Sequence, residues 1–258
     1  MYEFDADTVV EPVGPGVFAG RLTDRWNIGS VPNGGYVLAV VLAAVRQTLV
    51  APDPLTVTAH YLRPSAPGPA HVYVETIKTG RQYSTVAARL LQNEKENVRV
   101  LATYGDLTAQ SGPVHVFGAP PALPPRETLI APFGPATTDF TRRVDIRPAR
   151  TIFDPVQPGE APEISGWLRF ADGRPPDVHA LALIADAFPP VAFRVLPAGW
   201  VPTIELTVHV RARPVSEWVC CVFRTRFIFA GLLEEDGEIW DEAGTLLALS
   251  RQLAAVPR

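Results

Sequence analysis

The sequence has very few cysteines and no long hydrophobic run. Its 258 residues include only two cysteines, the adjacent Cys220 and Cys221. Neighbouring side chains in a strand point to opposite faces of a sheet, which excludes a disulfide framework and a C-x-x-C metal or redox site. No apolar run approaches the roughly 18 residues of a membrane-spanning helix, and the acidic start of the chain lacks the basic region of a signal peptide. These absences predict a soluble, cytoplasmic protein with no metal site and no membrane partner.

An excess of charge of one sign is also absent. The chain has 23 Lys and Arg against 27 Asp and Glu, which gives a formal charge of −4. This balance leaves no basic footprint for nucleic acid, so no nucleic-acid partner is expected. Hydrophobic residues make up 47% of the chain, which excludes a disordered chain. The length predicts roughly 1.7 domains and is sufficient for a full core.

Proline, by contrast, is abundant, at 27 residues. Seven prolines lie between Gly112 and Pro135, at positions 113, 120, 121, 124, 125, 132 and 135. Because proline neither donates to a sheet ladder nor fits inside a helix, this stretch is predicted to be extended. It is either one long surface loop or a linker between two similar halves.

The first half of the chain shows one helix followed by several strands. Asn33-Gly34-Gly35 precedes an apolar segment, residues 36–50, which has hardly any polar face and is therefore predicted to be a buried helix. Runs rich in β-forming residues follow it at 55–62, 71–79, 83–92 and 98–107.

The second half repeats this order. Residues 165–170 are predicted to be a strand, and 178–187 a helix that Pro189 and Pro190 end. Strands are predicted at 203–211, 218–230 and 246–254, with turns at 234–237 and 241–244. One helix followed by antiparallel strands, twice in the same chain, indicates a duplicated α+β fold and favours the linker. The predicted domains are 1–111 and 138–258, joined by a Pro-rich linker at 112–137.

Several motifs resemble those of one known family. They are Asn33-Gly34-Gly35 before the first helix, the final hairpin at 238–252, His60-Tyr61-Leu62-Arg63-Pro64, and Gly80-Arg81-Gln82-Tyr83-Ser84-Thr85. In their order and spacing, the chain resembles the double-hotdog acyl-CoA thioesterases of the acyl-CoA thioesterase II type. The resemblance implies an α+β double hotdog, in which two tandem repeats of a curved antiparallel sheet each wrap around a central helix.

The resemblance also implies a function. It implies hydrolysis of acyl-CoA thioesters to free fatty acid and coenzyme A by an activated water, as part of fatty acid metabolism. The implied partner is an acyl-CoA substrate, no cofactor is expected, and a homo-oligomer is allowed. The family uses an Asp, a Thr and a Gln to hold and activate the water, and these match Asp186, Thr203 and Gln252.

Asp186 also stands out without the resemblance. It lies in the last turn of the predicted second helix, where the negative end of the helix dipole raises the pKa of a carboxyl group. A solvated aspartate at a helix end is the simpler alternative. By themselves Thr203 and Gln252 would be ordinary strand residues, so their assignment depends on the resemblance. The first helix has no matching carboxylate, so one active site per chain is expected where the halves meet.

Gly34 and Gly35 open the first helix, whose first amides have no partner within the helix. Without side chains, they would let a substrate carbonyl oxygen approach these amides, so the expected oxyanion and substrate-binding group comprises Gly34, Gly35 and Asn33. A side chain at Gly35 is accordingly expected to impair catalysis more than stability. The alternative for the glycines is a tight turn that needs positive φ. For Asn33, the role of an N-cap is favoured over catalysis.

Two other functions stay open. A hotdog enoyl-CoA hydratase or dehydratase would place an Asn and a His close to the Asp after the helix, but residues 187–193 contain neither. A non-catalytic acyl-CoA-binding module is the other alternative, and the presence of the complete Asp, Thr and Gln set argues against it.

Overall fold

A computed structural model describes residues 1–131, 138–151, 154, 156–157 and 159–256, and its main feature is one antiparallel sheet of 13 strands. Within these ranges the helices α1 to α3 span Glu3–Asp7, Gly34–Arg46 and Ala180–Ile184. The strands β1 to β15 span, in chain order, Val10–Gly14, Val17–Leu22, Asn27–Ile28, Val31–Pro32, Asp53–Tyr61, Gly68–Lys78, Ser84–Gln92, Lys95–Gly105, Val144–Pro148, Glu163–Phe170, Thr203–Val210, Val219–Arg224, Ile228–Phe229, Leu232–Asp241 and Leu246–Ala255. None of the helices in the described ranges has the length and apolar character needed to cross a membrane.

The strand order of the large sheet shows the duplication. It runs β1-β2-β6-β7-β8-β5-β11-β15-β14-β12-β10-β9, with β13 paired to β14, while β3 and β4 form a separate ribbon. From one end inward the strands are β1, β2, β6, β7, β8 and β5, and from the other end they are β9, β10, β12, β14, β15 and β11, so the two halves have the same arrangement. The strands that follow the two helices, β5 and β11, pair at the centre. There Thr58 stands opposite Thr207, which lies 149 residues later, and their hydroxyl oxygens are 2.9 Å apart. The predicted double hotdog is confirmed, with a pseudo-twofold axis at this threonine pair.

The helix α2 is the central helix of the first half and is buried on nearly all sides. Ten of its 13 residues are buried, in agreement with its apolar pattern. It ends at Arg46, earlier than the predicted end at residue 50. Pro52 disfavours a helical conformation at Ala51, and β5 already begins at Asp53. The intervening residues must therefore turn the chain back.

The helix α3, at the centre of the second half, is shorter than predicted. It spans Ala180–Ile184, whereas the sequence predicts a helix over 178–187. The Asp177 carboxylate accepts two backbone amides of the first turn, at 3.0 and 2.8 Å, and thereby sets where the helix begins. After Ile184 the chain leaves the helix through Asp186, whose amide still donates to the Leu183 carbonyl oxygen at 3.0 Å.

The predicted turn at residues 234–237 is wrong, because these residues lie inside β14. The composition Glu-Glu-Asp-Gly resembles a turn, but alternate residues of Leu232–Asp241 are buried, among them Glu235. The neighbouring Asp236 lies on the other face and pairs with Arg251. Because β14 pairs with a strand on each side, β12 and β15, the sheet ladder outweighs the local turn composition.

The described part of the Pro-rich segment lies on the outer face of the second half. The Trp167 indole donates to the Pro124 carbonyl oxygen at 3.2 Å, and Arg126 forms an ion pair with Glu242. Arg147 donates to the Arg126 carbonyl oxygen at 3.0 Å. Residues 132–137 lie outside the described residues, so the linker at 112–137 and the domains on either side of it stay a prediction.

Candidate active site

A cavity of about 380 Å³ lies where the start of α2 meets the residues after α3. Its wall is mostly apolar and is contributed by both halves of the chain. Polar side chains also reach it, among them Asn33, Tyr61, Asp186, Thr203, Glu235 and Gln252. The structure therefore brings the three predicted catalytic residues to one cavity, together with Asn33 and Gly34 of the predicted oxyanion group.

Asp186 is held by the start of α2, that is, by the opposite half of the chain. Its Oδ2 accepts the Gly35 amide at 2.8 Å and the Asn33 side-chain amide at 2.9 Å. The same Asn33 nitrogen also donates to the Asp186 carbonyl oxygen, at 2.8 Å. These contacts fix the carboxylate oxygen Oδ2.

Burial raises the pKa of Asp186 to about 6, from an ordinary value of 3.8. The hydrogen bonds from Gly35, Asn33 and Gly34 lower the pKa because they favour the charged form, but burial outweighs them. The sequence predicted a raised pKa from the negative end of the second helix. The predicted rise of the pKa is confirmed, but its cause is burial and not the dipole of the second helix. The carboxylate lies past the end of α3 and at the positive, N-terminal end of α2.

Asn33 caps α2, as predicted. Its Oδ1 accepts the Tyr36 amide at 2.9 Å, while its Nδ2 makes the two bonds to Asp186. An aspartate would cap the helix equally well but, as a carboxylate, could not donate to Asp186. One amide group thus both starts the buried helix and positions the carboxylate.

Gly34 and Gly35 allow close packing, and neither has an unusual backbone angle. Neither is among the described residues with positive φ, so the tight-turn alternative is wrong. A Cβ on Gly35 would lie 2.8 Å from both the Ala182 carbonyl oxygen and Leu183 Cα, because α3 passes close to the start of α2 here. A Cβ on Gly34 would instead lie 3.0 Å from Asp186 Oδ2.

The amides predicted to receive a substrate oxygen already have acceptors. The Gly35 amide donates to Asp186, and the Tyr36 amide donates to Asn33. The predicted oxyanion site at Gly34 and Gly35 therefore has the Asp186 carboxylate where a substrate oxygen was expected. An oxyanion role for these amides stays a prediction, and it requires the carboxylate to shift when substrate binds.

Thr203 and Gln252 reach the cavity from neighbouring strands. Thr203 is the first residue of β11, and Gln252 lies in β15, opposite Leu206 of β11. Gln252 is only 8% exposed. Neither side chain has a hydrogen-bond partner among the described residues, so both polar groups are available to a bound molecule.

Glu235 is a further carboxyl group of the cavity, and the sequence analysis missed it. It is 7% exposed, stands opposite Gln252 in the β14–β15 ladder, and its Oε2 accepts the Val191 amide at 2.8 Å. Burial raises the pKa of Glu235 to about 8, and the charge of Asp186 acts in the same direction. The two-residue alternation of Leu233, Glu235 and Ile239 was the available signal for this strand.

The described residues contain no group of three or more His, Cys, Asp or Glu that could hold a metal ion.

One of the sequence motifs also lines the cavity, through its residues 61–64. The Tyr61 hydroxyl donates to the Gly34 carbonyl oxygen at 2.9 Å. Burial raises the pKa of Tyr61 well above its usual value, so the hydroxyl stays neutral. The Tyr61 hydroxyl therefore closes the cavity beside the start of α2 without adding a charge.

Both halves of the chain match models of one protein family. Residues 22–105 match the acyl-CoA thioesterase N-terminal domain, and residues 119–256 match the acyl-CoA thioesterase C-terminal domain. The chain belongs to the acyl-CoA thioesterase family. The family that the sequence motifs indicated is thereby confirmed.

Three similar proteins each match nearly the whole length of this thioesterase-family chain. Uncharacterized protein Rv0499 of Mycobacterium tuberculosis is 28% identical over 266 residues, covering 93% of this chain and 91% of that protein. The structure of a proposed thioesterase II from Thermobifida fusca is 28% identical, with a TM-score of 0.91, and the match covers 100% of this chain and 98% of that one. A hot dog protein of unknown function from Alicyclobacillus acidocaldarius, 22% identical with a TM-score of 0.91, covers 100% and 99% and has the same fold.

In this thioesterase-family chain the two glycines allow a matched comparison. Gly35→Ala places a methyl group against the backbone of α3, whereas Gly34→Ala places it against the side chains of Asp186 and Tyr61. We expect Gly35→Ala to lower the free energy of unfolding by about 1–3 kcal/mol, as overpacking does, and Gly34→Ala to lower it less. Urea denaturation of the two variants measures this difference.

Equal unfolding free energies for the two alanine variants would contradict this account of the helix crossing. The close contact between Gly35 and the backbone of α3 also corrects the expectation that a side chain at Gly35 impairs catalysis more than stability. Because the obstacle is backbone, which cannot rotate away, stability is expected to fall together with turnover.

Proposed function

We propose that the chain hydrolyses acyl-CoA thioesters to a free fatty acid and coenzyme A, with Asp186 activating the attacking water. The observation that carries this proposal is the Asp186 carboxylate of raised pKa, which the start of α2 holds in a cavity shared with Thr203 and Gln252. The family match supports thioesterase chemistry. The mostly apolar wall suits an acyl chain, since ligand pockets bind apolar groups by burying them.

Asp186 acts as the general base. A water bound at its other oxygen, Oδ1, attacks the thioester carbonyl carbon, and Asp186 takes one proton as the new C–O bond forms. The C–S bond then breaks, and the proton passes to the departing coenzyme A thiolate. With a pKa of about 6, the carboxylate is mostly ionised at neutral pH yet more basic than an ordinary aspartate.

Thr203 and Gln252 hold the water. A hydroxyl and a primary amide can each donate and accept a hydrogen bond, so the two groups can orient both the protons and the lone pairs of one water. Fixing the water close to the carbonyl carbon removes much of the entropy cost of the reaction. In this arrangement the glycine amides at the start of α2 serve to hold the base.

The test is the release of free thiol from a panel of acyl-CoAs that differ in chain length. We expect release from at least one member of the panel. The value of kcat/KM is expected to rise as the pH increases through about 6, because Asp186 must lose its proton to act as a base. A profile that is flat between pH 5 and 7 would contradict the assignment of Asp186.

The same assay separates the alternatives. A hydratase would consume the double bond of an enoyl-CoA and release no thiol, and a binding module would bind acyl-CoA without changing it. A cytoplasmic location, a role in fatty acid metabolism and a homo-oligomer stay predictions.

A further inference from the structure

A second cavity, of about 400 Å³, lies at the opposite end of α2 from the candidate active site. The start of α2 lines the first cavity through Asn33 and Gly34, whereas its end lines the second cavity through Arg46 and the following Gln47. A cavity of this size is within the range of about 300–1,000 Å³ that is usual for small-molecule sites.

The duplication of the fold relates the two cavities. Asn33 caps α2 in the first cavity, and Asp177 caps α3 in the second, where its Oδ1 accepts the Ala180 amide at 2.8 Å. Each cavity also has a phenylalanine from the segment before an outermost strand of the sheet, Phe140 before β9 and Phe4 before β1. The second cavity is therefore the pseudo-twofold counterpart of the candidate active site.

The charges of the two cavities differ. The carboxylates that line the second cavity, Asp5 and Asp177, both pair with the buried Arg174, each at 2.7 Å. Arg46, at the end of α2, has no hydrogen bond or ion pair to the described residues. The first cavity has the Asp186 carboxylate after the end of its opposite helix, α3. The second cavity thus has an unpaired cation at the corresponding place and can accept an anion.

His179 provides a second polar group without a partner. It lines the second cavity, is only 9% exposed, and its buried Nε2 has no hydrogen bond within the described residues. Tyr104 packs beside it, with ring centroids 6.2 Å apart, and the buried Tyr104 hydroxyl also has no partner there. Because buried polar groups nearly always have hydrogen-bond partners, this pair indicates that a molecule in the cavity supplies the missing one.

The remaining wall of the second cavity is apolar. Phe4, Val10 and Ala39 are buried and line it, together with the half-buried Ala43. A fully polar anion would leave these side chains uncovered, whereas an alkyl chain would remove them from water. The cavity therefore suits a small molecule that has one anionic end and one apolar end.

We propose that the second cavity binds a short-chain fatty acid, with its carboxylate on Arg46 and His179 and its alkyl chain against Phe4, Val10 and Ala39. A guanidinium can engage both oxygens of a carboxylate, and a neutral imidazole can donate one N–H. A fatty acid is also the product of the proposed hydrolysis, but binding in the second cavity does not depend on that reaction.

The protonation of His179 gives a signal at the site itself. Burial lowers the pKa of His179, so the imidazole is neutral at pH 7; the charges of Asp177 and Asp53 act against this shift, whereas those of Arg46 and Arg174 act with it. A bound carboxylate adds a negative charge beside the ring and favours the imidazolium. Binding is therefore expected to raise the pKa of His179.

The experiment follows the imidazole signals of the full chain by NMR during titration with sodium hexanoate. All five histidines lie in the described ranges, and His179 alone is buried. Its signal is therefore the one that a soluble paramagnetic agent broadens least. We expect hexanoate to shift this signal to saturation and to raise the pKa of His179.

Two arginine variants locate the binding. Arg46→Gln removes an exposed cation without breaking a described bond, and it is expected to raise the Kd of hexanoate for this signal by about 10–100-fold, as the loss of a charge-assisted hydrogen bond does. The matched control is Arg63→Gln, which removes the exposed arginine of the first cavity. This control is expected to keep the wild-type titration of the His179 signal, so it separates the second cavity from product binding in the first.

Two further ligands test the fatty acid itself. Hexanol has the chain without the charge, and inorganic phosphate has a charge without the chain, so each is expected to bind at least about tenfold more weakly than hexanoate. Equal binding of phosphate would overturn the assignment to a fatty acid, and equal binding of hexanol would overturn the role of Arg46.

The whole proposal is overturned if millimolar hexanoate leaves the His179 signal unmoved, or if Arg46→Gln binds hexanoate as the wild type does. None of these measurements uses thiol release. The proposed hydrolysis therefore stands or fails separately from the second cavity.

Discussion

Asp186→Asn is expected to lower turnover of the best acyl-CoA by about 10²–10⁴-fold, the usual range for the loss of a general base. Asparagine keeps an oxygen that can accept the bonds from Gly35 and Asn33, so the start of α2 keeps its contact with the end of α3. The negative charge that takes the proton from water is absent. The measurements are kcat from thiol release and the Tm of both proteins, and the Tm of the variant is expected to be no lower than that of the wild type, because burial disfavours the charged carboxylate.

The control for this prediction is Asp24→Asn, which removes the same charge from an exposed residue outside the cavity wall. We expect this control to keep turnover at the wild-type level. Near-normal turnover by Asp186→Asn, in a folded protein, would show that Asp186 is not the base.

Neither half of the chain is expected to hydrolyse acyl-CoA when produced alone. The proposed catalytic residues lie in the second half, but Asn33 and the Gly35 amide, which hold the Asp186 carboxylate, lie in the first. Separation also breaks the central pairing of β5 with β11 and leaves two unpaired strand edges, which favour aggregation. Fragments 1–118 and 138–258 are therefore expected to be insoluble or inactive, as measured by solubility and thiol release.

Co-expression of the two fragments is the control, because it restores the central strand pair and is expected to recover part of the turnover. A soluble 138–258 fragment with close to the full-length rate would contradict a site shared by the halves. It would show that Asp186 needs no group from the first half.

Local signals in the sequence predicted the start of the first helix correctly. Asn33 is a good N-cap, and the apolar residues after it leave no face for water, so a buried helix is the outcome that the segment favours by itself. The second helix was less predictable. Its five residues, Ala180–Ile184, are held between Asp177 and the turn at Asp186, and its length depends on packing against α2.

Glu235 shows why part of the site escaped prediction. The run Glu-Glu-Asp-Gly has the composition of a turn, and only pairing with β12 and β15 makes it a strand. Which glutamate faces the cavity is then set by register, since a shift of one residue would turn Glu234 inward instead. Register depends on partners that are distant in sequence from this segment.

The sequence by itself determined the duplicated α+β order, the buried first helix, the cap at Asn33 and the family to which the chain belongs. These features depend on short-range patterns and motifs, which a single segment contains. The tertiary structure alone decided that Asp186 is held by the start of the other helix, that burial raises its pKa, and that Glu235 shares its cavity. The physical reason is that burial, charge interactions and close helix contacts arise between residues about 150 positions apart, as Asn33 and Asp186 are, and become defined only when the two halves pack together.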